Sequence, residues 1–412
     1  MVKPGRTPLS RSVSLLITGV AGALVLSGCG LGQLQLTAAA NTAVRSLAHI
    51  DLTSLLTDST GKVLPGKPVV VSVADGRLTR VAVTGPDGVV TGTMSTDDAT
   101  WTSDTTSLDY GSTYTISAVA VDRTGLATTF TKTLATVNPS KFVHASVVPF
   151  NGAIVGVGYP ATVTMSRSID DRNKPAVIRH ITVKINGVTG NGAWRWKSNQ
   201  VIEYRTPTYF PANSTVSVAI NLRGVDVGGG AYGLTDSTTT YHTGDAMISY
   251  VNLTTHQMTV TKNGVTVRVI PVTAGKAGFD TRSGVKVILT KETKRFMDAA
   301  TGGTAKTSTN YYALWVYNAM RLTWSGEFLH AAPWSVSSQG IANVSHGCTG
   351  MSPANAAWLF NESRIGDVVI YTGSARKMTL DNGIGVWNLT WSQWQSTAGD
   401  GTLGYNVGID GG

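Results

Sequence analysis

The stretch Val344-Ser345-His346-Gly347-Cys348-Thr349-Gly350-Met351 concentrates the reactive side chains of this chain. There are two cysteines in 412 residues. Cys29 closes an apolar N-terminal run, so Cys348 is the thiol left to a folded body. Its flanks are Gly and Thr, His346 precedes it by two residues, and His330 lies further upstream. That pattern reads as a nucleophile with imidazole partners; the plainer alternative is a small buried hydrophobe. Gly347 allows a tight turn. Ser352 is a good N-cap and Pro353 suits a first helical turn, which predicts a helix from Ser352 to about Asn361. Its start should bring free N–H groups close to Cys348, favouring a thiolate and offering an oxyanion site. A zinc site from His330, His346 and Cys348 lacks an evident fourth ligand, Glu327 being the only acidic residue near any of them in sequence. No metal or cofactor is expected. No histidine follows Cys348, which argues against a papain-like order.

Holding these residues in place takes several bodies: the length suggests two or three domains. Charged residues make up 14% and there are 46 glycines, a profile that suits a β-rich extracellular protein better than a cytosolic helical enzyme. The net charge of +9 is spread along the chain without a basic helix or an aromatic-interleaved basic patch. That argues against a nucleic-acid partner and suits an anionic wall or membrane surface.

Lys3, Arg6 and Arg11 precede an apolar run from Leu15 to Leu26 that is short for a membrane span and right for a signal-peptide core. It ends in Leu26-Ser27-Gly28-Cys29, which resembles a bacterial lipoprotein cleavage box. The resemblance implies a signal peptide over 1–28 and a lipid on Cys29. An incidental cysteine after an ordinary signal peptide is the alternative. Residues 29–46 read as a tether.

Residues 47–140 and 141–245 each read as strand, strand, tryptophan, turn and long alternating strand, with Thr113–Val121 and Thr215–Leu222 as the long strands. We expect two immunoglobulin-like sandwiches that act as spacers. The pattern changes at 246–372 to a compact mixed domain. Asn263-Gly264 predicts a tight hairpin, a polar segment from Thr290 to about Asn310 reads as a lid, and Asp367–Tyr371 as a closing strand. In the extension 373–412, Trp387, Trp391 and Trp394 would share one face of a helix over Val386–Gln395. Packing against the catalytic domain or its junction with the second sandwich would make this tail a brace. Glycan stacking is the competing role. Gly399, Gly401 and Gly404 predict an irregular end.

Over about 246–372 the sequence resembles the L,D-transpeptidase family with a YkuD-type catalytic domain. The resemblance rests on Ser345-His346-Gly347-Cys348 with Met351, on Leu329-His330-Ala331-Ala332-Pro333-Trp334, and on the Asn263-Gly264 hairpin leading to Thr281-Arg282-Ser283-Gly284. The whole layout is similar to mycobacterial and related actinobacterial lipoprotein members. The implied fold is mainly β: two immunoglobulin-like sandwiches, then a β-rich catalytic domain with a short helix after the cysteine. The implied reaction is 3→3 cross-linking of meso-diaminopimelate residues in peptidoglycan stem peptides through a Cys348 thioester. With water as acceptor the same site would be an L,D-carboxypeptidase; a wall-binding structural lipoprotein is the non-enzymatic alternative.

The resemblance makes His330 the base or imidazolium partner, oriented by the Ala331 carbonyl, and His346 a pocket-shaping histidine. Ser345 and Gly347 belong to the orientation and oxyanion group, with the N–H groups of Gly347 and Cys348 as oxyanion donors. Tyr312, Trp324 and Thr349 are expected to contact substrate. Acylation by carbapenems is implied. Gly350 and Arg282 depart from the family pattern, and neither is expected to touch the acyl-transfer groups. The expected location is the outer face of the cell membrane, lipid-anchored through Cys29, with the catalytic domain in the periplasm or wall and the protein a monomer.

Overall fold

The structure is a computed structural model, and it describes residues 45–396 apart from 53, 54 and 106. The predicted signal peptide, Cys29, nearly all of the tether and the glycine-rich end lie outside the described residues. Among the described residues, no helix is long and apolar enough to cross a membrane.

Three groups of sheets follow one another. The first contains two four-stranded sheets, one built on Gly76–Gly85 and Thr113–Asp122 and the other on Val70–Ala74 and Thr100–Ser103. Alternation along Thr113–Asp122 turns Tyr114, Ile116, Ala118 and Ala120 into a core with Trp101 and Val71. The second group has a four-stranded and a five-stranded sheet around Trp194, Trp196, Ile202 and Tyr241, with a small third sheet. Asn186-Gly187 closes its hairpin with both residues at positive φ, as a two-residue turn of this kind requires. The short helix Lys174–Arg179 has no clear signal in the sequence.

The third group carries the reactive stretch. A five-stranded sheet runs in the order Val265–Pro271, Gln257–Lys262, Met247–Asn252, Val368–Thr372, Gly284–Val287. A four-stranded sheet runs in the order Thr290–Asp298, Ala313–Arg321, Phe328–Ala331, Thr349–Met351. Both sheets contribute to one core, which includes Met258, Ile270, Met320 and Leu329 together with Ala356 and Leu359 of the helix Pro353–Glu362. The helix begins as predicted, with Ser352 Oγ accepting from the Asn355 N–H. The Asn263-Gly264 hairpin also forms.

Two expectations need correction. The predicted lid over Thr290 to about Asn310 begins as the nine-residue strand Thr290–Asp298, paired along its length with Ala313–Arg321. Its inward positions are partly filled by long cations, Lys291 reaching the carbonyls of Phe360 and Ser363 and Arg295 lying over Phe328. Their methylene stems do the work of apolar residues, so the alternation reads as polar. The connecting loop is therefore confined to 299–312. The tail is also not one helix. A turn at Val386–Asn388 and the helix Trp391–Gln395 are separated by extended Leu389, with Thr390 capping the second.

The three tryptophans nevertheless converge. The Arg205 guanidinium lies 5.1, 5.6 and 5.1 Å from the rings of Trp387, Trp391 and Trp394. It donates to the carbonyls of Val386, Leu389 and Thr390. The Trp387 and Trp394 indole N–H groups donate to Gly158 O and Ala193 O, while Val285 and Val287 complete the same apolar cluster. The tail thus packs on both the second and the third group of sheets. Main-chain bonds from Gly156 to Ile365 and from Gly158 to Gly366 join the two groups directly.

Candidate active site

The turn before Cys348 depends on two residues. Gly347 has φ +121°, a region that side chains rarely adopt. Ser345 Oγ donates to the Cys348 carbonyl at 2.6 Å and accepts from the Gly347 N–H at 3.1 Å. The Gly347 N–H is thus engaged within the turn itself. After the turn, Thr349–Met351 runs parallel to Phe328–Ala331 with His330 opposite Gly350. Side chains alternate across this sheet, so Cys348 and His330 share the face that Gly350 leaves open. Both line a cavity of about 350 Å³ with Tyr312, Trp334, His346 and Gly350.

His330 is 5% exposed, and its Nδ1 lies 2.7 Å from the Ala331 carbonyl oxygen. A carbonyl can only accept, so Nδ1 carries the proton and Nε2 is left as the basic nitrogen. Burial lowers the His330 pKa from its ordinary value, against the Ala331 contact. The Trp334 ring stacks at 5.9 Å. Cys348 Sγ donates to Gly326 O at 3.5 Å and accepts from the Phe328 N–H. Burial pushes its thiol up to about 11. The resting pair is therefore a neutral thiol and a neutral imidazole. Cys348 also packs with Met297, Val316 and Phe328, so it is a buried apolar side chain as well as a cavity wall.

That protonation state corrects the predicted role of the helix. Three extended residues, Thr349–Met351, separate Cys348 from Ser352, about 10 Å of chain. Helix-end effects fade within the first turn, so they do not reach the sulfur.

His346 faces the cavity between Phe279 and Tyr312, at ring distances of 4.6 and 5.0 Å, and its Nε2 has no hydrogen-bond partner among the described residues. Burial, then Lys276, lower its pKa. Burial pushes the Tyr312 phenol up to about 12. Two expected substrate contacts are not in the cavity. Thr349 is turned to the opposite face, where its hydroxyl meets the Tyr371 hydroxyl at 2.8 Å. Trp324 is 59% exposed in the turn after Ala313–Arg321, outside the cavity wall. At Gly350 a Cβ would sit 2.8 Å from Ala332 Cβ, so the missing side chain matches a tight wall.

Sequence reasoning missed the buried charges behind the cysteine. Glu327 binds both Arg282 and Lys286, and it acts on Cys348 together with Lys286 and Arg321. Arg282 is thus linked to the cysteine only through Glu327. The available signal was Lys286, a lone charge within the apolar strand Gly284–Val287. Among the described residues, no set of three His, Cys, Asp or Glu side chains converges as metal ligands would.

A sequence model described as an L,D-transpeptidase catalytic domain matches residues 247–370. L,D-transpeptidase 2 of Mycobacterium tuberculosis is 33% identical over 399 residues, covering 95% of this chain and 96% of that protein. The chain belongs to the L,D-transpeptidase family. L,D-transpeptidase 1 of the same organism is 38% identical over 229 residues, covering 56% of this chain and 84% of that protein. A solved L,D-transpeptidase from Mycobacterium smegmatis is 35% identical, covers 56% of this chain and 99% of its own, and has a TM-score of 0.47. A bacterial Ig domain model matches residues 60–226, spanning parts of the first two groups of sheets. This L,D-transpeptidase is a cysteine-based acyltransferase that forms 3→3 peptidoglycan cross-links.

Proposed function

We propose that Cys348 is the acyl-accepting nucleophile and His330 its base. The observation that carries this reading is a buried thiol opening onto the same cavity as an imidazole whose basic nitrogen is selected by the Ala331 carbonyl. His330 Nε2 takes the Cys348 proton as sulfur attacks the carbonyl at the L-centre of meso-diaminopimelate in a tetrapeptide stem. The oxyanion forms against the Cys348 N–H. The intermediate collapses to a thioester, and the terminal D-alanine leaves with the proton from His330. The side-chain amine of a second stem attacks the thioester, passing a proton through His330 back to sulfur. His346 and Tyr312 shape the cavity around the stem, and Ser345 holds the turn. Carbapenems enter the same path, their strained carbonyl acylating Cys348.

We also infer that the first two groups of sheets are two immunoglobulin-like spacers, over 47–140 and 141–245, and that 373–412 is a brace. Two cores of their own, around Trp101 and around Trp196, support the first assignment. A lipid on Cys29 would hold this assembly at the outer face of the membrane. Cys29→Ala should release the protein from membranes; continued membrane retention would refute the anchor.

The reaction is tested by incubating the chain from Leu31 onward with a disaccharide-tetrapeptide and reading the products by mass spectrometry. A cross-linked dimer with loss of one D-alanine supports the proposal. Tripeptide alone would mean hydrolysis, and unchanged substrate would refute both.

A further inference from the structure

The acyl-transfer steps make no use of the charges packed behind Cys348. Glu327 is 5% exposed and Lys286 is fully buried. One Glu327 oxygen accepts from the Arg282 main-chain N–H at 3.1 Å and from its guanidinium at 2.9 Å, and the other accepts from the Lys286 ammonium. Buried ion clusters are often no more stabilising than apolar packing, so stability alone is a weak reason for this one.

Its placement offers a better reason. Glu327 lies between the two main-chain groups that touch the sulfur, Gly326 O and the Phe328 N–H. Its own N–H donates to Thr323 Oγ1 at 2.9 Å, and its carbonyl accepts from Leu322 at 2.9 Å. A Cβ on Gly347 would lie 3.9 Å from Glu327 Cγ, so the cluster also lies under the turn that presents Cys348. Lys286 lies 3.7 Å from the centre of the Tyr371 ring, whose hydroxyl holds Thr349, the residue after the cysteine.

We infer that Glu327, clamped by Arg282 and Lys286, is a positioning residue for the nucleophile, fixing the Gly326–Phe328 main chain that holds Cys348 Sγ. The inference rests on the reading of Cys348 as the acyl acceptor. The charged and titratable groups around the sulfur are Glu327, Lys286 and Arg282 of the clamp, Arg321 from the neighbouring strand, His330 and His346 from the cavity, and Tyr312 and Tyr371. Glu327 disfavours a thiolate, while Lys286 and Arg321 favour it. Removing the Glu327 charge should make the thiolate easier to form while acyl transfer slows through lost alignment. General loosening of the fold would not produce that opposed pair of effects.

The test compares Glu327→Gln and Glu327→Asp with the full chain. It follows alkylation of Cys348 by iodoacetamide against pH and the acylation rate constant at saturating carbapenem. Glu327→Gln should move the alkylation midpoint down by about one pH unit and slow acylation on the order of tenfold or more, with the half-saturating concentration little changed. Glu327→Asp restores the charge at shorter reach, so the midpoint should return while acylation stays slow. If Glu327→Gln does not fold, Arg282→Gln serves instead, because it keeps the Lys286–Glu327 pair. It should slow acylation and move the midpoint up. A folded Glu327→Gln, or in its place Arg282→Gln, with both quantities unchanged would overturn the inference. Failure of carbapenem to acylate wild-type Cys348 would refute the acyl-acceptor reading instead, and the alkylation midpoints would still judge the clamp.

Discussion

Two buried cationic clusters in this molecule are built differently. Around Arg205 the charge is met by main-chain carbonyls and the faces of Trp387, Trp391 and Trp394. Around Lys286 and Arg282 it is met by the Glu327 carboxylate. The first cluster joins the tail to the second group of sheets and fixes the geometry between bodies. The second lies within one body, beside Cys348, the proposed nucleophile, whose charge must change during reaction. Rings and carbonyls hold a cation with little response to pH, whereas a carboxylate among cations sets a field that a forming thiolate feels. Burial lowers the Arg205 pKa only to about 10, so it stays charged at neutral pH. Mutations at the first cluster should therefore change stability and leave chemistry alone. Changes at the reactive stretch should do the reverse.

The largest effect is expected at the nucleophile. Cys348→Ala should abolish cross-linking and covalent carbapenem capture with little change in melting temperature, read by intact mass and thermal unfolding. Cross-linking by the folded variant would break the contrast at once. His330→Ala should follow, with acylation slower by about 10²–10⁴-fold. The pH response sharpens this. His330 is pulled below its ordinary pKa, so wild-type acylation should rise as pH climbs through that lowered value and be flat at neutral pH. Without the imidazole, acylation should keep rising with pH toward the Cys348 value of about 11. A flat profile in His330→Ala would contradict the base assignment.

At the brace, Trp394→Ala should cost about 3–5 kcal/mol of stability, because this ring is fully buried and its N–H is bonded to Ala193. Arg205→Ala leaves the carbonyls of Val386 and Leu389 without the guanidinium, while Thr390 O keeps the Trp394 N–H, and should cost a few kcal/mol, roughly 1–3 for each carbonyl that water does not reach. Denaturant unfolding measures both. Acylation by the fraction that remains folded should match wild type, and a slower rate would place the brace in the chemistry. The smallest effect is expected at Trp324→Ala. Its ring is outside the cavity, so acylation should change by less than about twofold, within the usual range for a surface substitution. A larger loss would return Trp324 to the substrate path.

The contrast also marks what the sequence could reveal. Cys348, His330, the Ser352 cap and the Asn263-Gly264 hairpin each depend on a few neighbouring residues, and local chemistry makes them readable. The side on which Thr349 falls depends on the register of Thr349–Met351 against Phe328–Ala331, a pairing across twenty residues of sequence. The separation of the helix start from Cys348 depends on those same extended residues. The strand Thr290–Asp298 escaped notice because Lys291 and Arg295 occupy its inward face. The spacing of the tail tryptophans implies a shared surface but not its scaffold, since Arg205, nearly two hundred residues earlier, gathers them instead of one helix. Glu327 showed only its proximity to the cysteine. Its partners Arg282 and Lys286 come from a different sheet edge.

The central claim is that Cys348 carries the acyl group. The direct measurement is a rapidly quenched incubation of the protein with a tetrapeptide stem, followed by mass mapping of the peptide that contains Cys348. The account predicts an adduct on Cys348 equal to the stem minus its terminal D-alanine, absent from Cys348→Ala and long-lived in His330→Ala when acceptor is withheld. Cross-linked product forming without that adduct, or with the acyl group on another residue, would contradict it.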